Sequence, residues 1–230
     1  MTADECRYRE VLRRLKTLGN PQAVAGMARF GVHVPDAWGV SAPKLRALAK
    51  EVGKDHKLAD QLWRSGVHDA RLLATLVDDP AEVTRRQMER WAQDFNSWAL
   101  CDAACGCLFD KTPYGWDKAL EWPEREAEYV KRAGFVLMAT LAVHDKEAPD
   151  ERFEQFLPYL VRHAIDERNF VKKGINWALR QIGKRNCHLN ELAIRTAQQI
   201  HKLDSSSARW IAADALRELA SDKVRKRLKT

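Results

Sequence analysis

Prolines and a 3.6-residue apolar rhythm cut this chain into short helices and leave little room for any other architecture. Val171, Ile175, Ala178 and Ile182 recur at i, i+4, i+7 and i+11, one face of an α-helix. No stretch shows the apolar–polar alternation of a strand bounded by hairpin turns. Pro21, Pro43, Pro80, Pro113, Pro123 and Pro149 each stand where a periodic segment begins. Proline suits the first helical position, whose N–H has no partner in any case. Asp79-Pro80-Ala81-Glu82 reads as a cap with a carboxylate three residues on. Pro158 falls inside a periodic segment and should kink or shorten its helix. Glycine (11) and proline (8) are scarce in 230 residues, about 8% against a typical ~12%, which disfavours turn-rich sandwiches and barrels.

The rhythm predicts helices over 4–18, 21–30, 43–53, 55–65, 68–77, 80–94, 97–109, 113–121, 124–143, 150–164, 168–183, 187–201 and 205–220. The clearest hairpins begin at Pro149 and Asn186, with second helices near Arg168 and Ser205. Their offset of ~36–37 residues falls in the range of helical solenoid repeats. The expected fold is therefore all-α: a curved solenoid of antiparallel helical hairpins of the HEAT-like kind. It would form a single domain over residues 1–230 with a basic tail at about 222–230. An irregular helical bundle is the alternative. A curved stack of hairpins offers a concave surface to a long ligand.

Several classes fall away. The most apolar run, Ala133 to Val143, is far shorter than the ~18 residues of a membrane helix. The segment Met1 to Glu10 is polar and of mixed charge, without a signal-peptide core. A cytoplasmic location is expected, with no membrane partner. Five cysteines suit reduced thiols. Cys101, Cys105 and Cys107 lack the paired spacing of zinc sites and have no histidine beside them, so no metal is expected. There is no phosphate-cradling glycine loop, G-x-S-x-G elbow or H-E-x-x-H pair.

The net charge of +7 is concentrated. Residues 168–185 carry six bases and no acid, residues 222–230 contribute +4, and the remainder nets −3. Lys173, Trp177, Arg180 and Lys184 share one helical stripe opposite the apolar one, with Lys172 and Arg185 close by. Ammonium and guanidinium groups around an indole suit a nucleic-acid surface: cations for phosphates, a π face for sugar or base. The plain alternative is a solvated basic face with Trp177 packed on the next repeat.

A second group opens at Asn96-Ser97. Trp98, Asp102, Cys105 and Phe109 share a face of an otherwise apolar helix, which puts a carboxylate one turn beyond an indole. Such a carboxylate needs a cation, a hydrogen-bond donor or a chemical task. A structural ion pair is the competing reading, and Trp210 and Asp214 repeat the spacing, so the pattern alone carries little weight. Arg132 precedes the apolar run Phe135-Val136-Leu137-Met138 and must pair with a carboxylate or phosphate, or reach the surface.

Together these residues resemble the AlkD-like bacterial DNA alkylation-repair glycosylases. The similarity runs from Met27-Ala28-Arg29-Phe30 and the segment Gly39 to Lys50 through Asn96 to Asp102, Val130-Lys131-Arg132-Ala133, and Lys172 to Arg180. It implies a HEAT-like repeat fold and hydrolysis of the N-glycosidic bond of cationic N3- or N7-alkylated purines in double-stranded DNA. No cofactor is implied, and the damaged base need not be flipped out. By position, Asp102 matches the catalytic carboxylate, Trp98 and Trp177 match the indoles at the lesion's deoxyribose, and Arg132 matches a backbone-binding arginine. Lys172, Lys173, Arg180 and Lys184 would hold further phosphates. Gly26 precedes Met27 where active relatives carry an aromatic residue. The expected agent is a monomeric, monofunctional glycosylase acting at the nucleoid. A non-catalytic HEAT module for damaged or branched DNA, or a scaffold for protein partners, would use the same fold.

Overall fold

A computed structural model describes residues 2–32 and 34–228. Its helices are α1 (Ala3–Thr17), α2 (Pro21–Met27), α3 (Ala42–Val52), α4 (His56–Arg64), α5 (His68–Val77), α6 (Arg85–Gln93), α7 (Trp98–Cys107), α8 (Gly115–Glu121), α9 (Glu128–His144), α10 (Asp150–Glu154), α11 (Leu157–His163), α12 (Asn169–Ile182), α13 (Cys187–His201), α14 (Ser206–Leu219) and α15 (Asp222–Leu228). No strand occurs among the described residues. Helix starts carry local caps: Asn20, Asp55, Ser97, Asn186 and Ser205 each accept a hydrogen bond from a first-turn N–H. The chain divides into two compact units, Met1–Pro113 and Tyr114–Thr230.

In the first unit, α4 and α6 bring Trp63 and Trp91 into a parallel stack, 3.9 Å between ring centroids. Phe95 meets Trp63 edge-on and Phe109 tilts against Trp91. Trp63 keeps its polar handle satisfied, its Nε1 donating to Asp94 Oδ2 at 2.7 Å. Asp69 is almost fully buried, and its two oxygens accept from the backbone N–H groups of Trp38 (2.6 Å) and Val40 (2.7 Å). That pins Trp38 to Val40, in the connection between α2 and α3.

In the second unit, α9 is buried from Val130 to Ala142, the charged Lys131 and Arg132 included. It packs against α8 and α12. Lateral hydrogen bonds recur one repeat apart: Arg162–Glu124, Arg132–Phe170, Asn176–Asp214, Asn186–Asp150 and Ser205–Glu167, all 36 to 38 positions apart. This period is the one predicted from the hairpins at Pro149 and Asn186, and the architecture is all-α with HEAT-like tandem hairpins.

Two local expectations change, and the break expected around Pro158 is met. The helix predicted over 80–94 begins only after Thr84, whose hydroxyl accepts from Gln87 N. Asp79 instead closes a turn, its Oδ1 accepting from Ala81 N and its carbonyl from Glu82 N. The segment 150–164 is two helices, α10 and α11, parted at Gln155–Phe156 with Pro158 in the first turn of the second. Proline is harmless there because no earlier carbonyl waits for its missing N–H. Finally, most of the predicted basic tail is helix α15, whose Val224 is buried. Lys229 lies outside the described residues.

Candidate functional site

In the first unit, Ser97 caps α7 through its hydroxyl, which accepts from Leu100 N at 3.3 Å. The cap sets the first turn, so Trp98 and Asp102 share a face, both half-buried. The Trp98 indole is anchored: its Nε1 donates to the Phe30 carbonyl at 2.8 Å. This joins two stretches that stand apart in the sequence, Asn96 to Asp102 and Met27 to Phe30. Beside them lies a cavity of about 580 Å³ whose walls include Met27, Phe30, Leu72 and Trp98. Phe30 itself is 72% exposed. His68 also lines the cavity; it is buried, and that burial holds its imidazole below the ordinary histidine value and so uncharged at neutral pH. The Cys105 thiol, one turn past Asp102, is pushed well above its usual range, chiefly by burial, which leaves it protonated.

In the second unit, the apolar stripe Val171, Ile175, Ala178 and Ile182 is fully buried. The opposite stripe divides by partner. Lys173 is exposed and Trp177 half-buried. Lys172 holds its ammonium 5.6 Å from the centroid of the Trp210 ring. Arg180 and Lys184 both pair with Glu218 of α14, Lys184 at 2.7 Å, and Arg180 also approaches Asp214 at 3.7 Å. Asn176, buried, donates to Asp214 at 2.8 Å. These cations hold the Glu218 carboxyl below the usual carboxylate range against the burial that opposes them. Arg185 spends its guanidinium on the carbonyls of Ala142, Asp145 and Ala148, over the Phe153 ring. Arg132 is nearly buried and donates to the Phe170 carbonyl at 2.6 Å, a backbone partner.

Sequence reasoning found the basic helix and missed its counter-charges. The signal was present: Glu218 stands 38 positions after Arg180, one repeat on, and Trp210–Asp214 repeats the spacing of Trp98–Asp102. Among the described residues no group of three His, Cys, Asp or Glu side chains could hold a metal ion, and no helix is long and apolar enough to cross a membrane.

Tandem helical hairpins, an anchored indole one turn before a carboxylate, and a tryptophan within a basic helix define a class of helical-repeat protein. Residues 11–219 match the family described as DNA alkylation repair enzyme, and the chain belongs to that family. It is 25% identical over 195 residues to the uncharacterized protein Lin0241 of Listeria innocua serovar 6a, covering 82% of this chain and 84% of that one. A solved structure from a new family of proteins related to the HEAT-like repeat DNA glycosylases, with affinity for branched DNA structures, superposes with a TM-score of 0.80 at 21% identity. The superposition covers 96% of this chain and 95% of the other.

Proposed function

We propose that the protein hydrolyses the N-glycosidic bond of cationic N3- or N7-alkylated purines in duplex DNA, as a single domain and a monomer. The observation that carries this reading is the α7 arrangement, in which an indole tied to Phe30 precedes Asp102 by one turn in a chain of the DNA alkylation repair enzyme family. An alkylated purine is already positive, so it departs as a neutral base when the C1′–N bond breaks and needs no strong acid. The demand lies at the sugar, which develops oxocarbenium character. Asp102 answers that charge and takes a proton from the water that adds to C1′. Trp98 and Trp177 offer indole faces to the cationic sugar. Lys172 and Lys173 hold phosphates directly. Arg132, Arg180 and Lys184 join them, the last two by exchanging Glu218 for a phosphate oxygen.

The test is a duplex carrying 7-methylguanine, with free base measured against time. Release above the spontaneous rate by wild type, and its loss in Trp177→Ala, is the expected result. A second reading, non-catalytic binding of damaged or branched DNA, has support in the solved relative described as having affinity for branched DNA. It predicts tight, salt-sensitive binding with release no faster than in buffer.

A further inference from the structure

The helix richest in bases has its charge partly answered by Glu218 and Asp214. A face of the first unit carries cations that lack such acidic partners. Residues 41–57 hold five cations, Lys44, Arg46, Lys50, Lys54 and Lys57, and two acids, Glu51 and Asp55. Both acids turn to α1, where Arg14 pairs with Glu51 and Arg7 with Asp55. Arg46 and Lys50 are exposed and have no carboxylate partner among the described residues. Lys54 donates to the carbonyls of Leu76 (3.0 Å) and Asp78 (2.7 Å) at the end of α5. Lys111 donates to the Cys107 carbonyl at 2.7 Å at the end of α7. Carbonyls of a helix C-terminus orient an ammonium and offset only part of its charge. The Asp78 carboxyl is buried and engaged by His56 and Gln87.

Three of these cations share one place. Arg46, Lys50, Lys54 and Leu76 line a groove of about 290 Å³. Gly53, also in the groove wall, has φ +77° and open space where a Cβ would stand, so bare backbone forms part of the rim. A polyanion matches such a surface in charge, and a chain of phosphates can follow a groove that side chains do not block.

We propose that this groove between α3 and the end of α5 holds the phosphodiester backbone of bound DNA, with Arg46 and Lys50 contacting phosphates and Lys54 deepening the positive potential. The inference rests on the reading that the chain binds DNA, and the experiment separates the two. Anisotropy of a labelled short duplex gives Kd for wild type, for Arg46→Gln/Lys50→Gln and for Arg9→Gln/Arg13→Gln between about 50 and 200 mM salt. The last pair removes the same net charge from α1, where Glu5 and Glu10 already neutralise it. The slope of log Kd against log salt should become shallower by about 0.9 for each phosphate that the groove variant no longer neutralises, and stay at the wild-type value in the α1 variant. Equal slopes for the groove variant and wild type, with wild type binding DNA, overturn the groove and leave the DNA reading standing. Absence of wild-type binding overturns both. Lys50 should also be protected from amine acylation by the duplex, and unchanged acylation of Lys50 contradicts the proposal.

Discussion

Gly134 shows how finely single residues set this fold. A Cβ there would lie 2.3 Å from Pro123 Cδ, where α9 crosses the turn at Trp122–Glu124. Gly134→Ala should cost about 1–3 kcal/mol of unfolding free energy in a urea titration, because a packed core must shift to admit one methyl group. An unchanged midpoint would mean that the turn yields freely. Gly26 is the opposite case, since a Cβ there meets nothing within 4 Å. Gly26→Ala should stabilise by about 0.5–1 kcal/mol, the ordinary penalty of glycine within a helix. At this scale the candidates Trp98, Asp102 and Trp177 stand out in the sequence because large aromatic and acidic residues at helical spacing contrast with apolar neighbours. The Phe30 carbonyl that anchors Trp98 does not, because any residue supplies a carbonyl and only folding brings position 30 to position 98.

Among elements, helix boundaries followed local chemistry. The spans 68–77 and 187–201 emerge as predicted, whereas α6 starts five positions after Pro80. Thr84 with Gln87 is itself a cap pattern; a proline just after an aspartate masked it, because the same dipeptide also closes turns. The join between α12 and α14 can be tested through acid. Glu167 accepts from the Ser205 and Ser206 hydroxyls and Ser207 N, which lowers its carboxyl to about 2. A carboxylate depressed on folding lends stability above its unfolded value, near 4.5, and that stability is lost as pH falls towards about 2. Urea midpoints of wild type should therefore exceed those of Glu167→Gln near pH 6 and converge with them near pH 2. A constant gap would show that the carboxylate contributes nothing to linkage. Glu218→Gln removes the partner of Arg180 and Lys184, at a cost of about 0.5–1 kcal/mol in stability. If those cations turn to phosphates, duplex affinity rises in the same variant; a fall would assign them a purely structural role.

For the whole chain, charge and chemistry have to be read in three dimensions. The +6 of residues 168–185 was plain in the sequence, but an acid one repeat away answers part of it, and linear spacing does not display that pairing. The all-helical repeat fold was legible because a local rhythm and a ~37-residue period specify it without long-range pairing. The proposed hydrolytic role turns on one carboxylate, and the most direct measurement is single-turnover release of 7-methylguanine from duplex DNA by wild type and Asp102→Asn at saturating protein. Release well above the spontaneous rate by wild type, falling by about 10²–10³-fold in Asp102→Asn, is the predicted result. Wild-type release no faster than buffer, or equal rates for the two proteins, would contradict it.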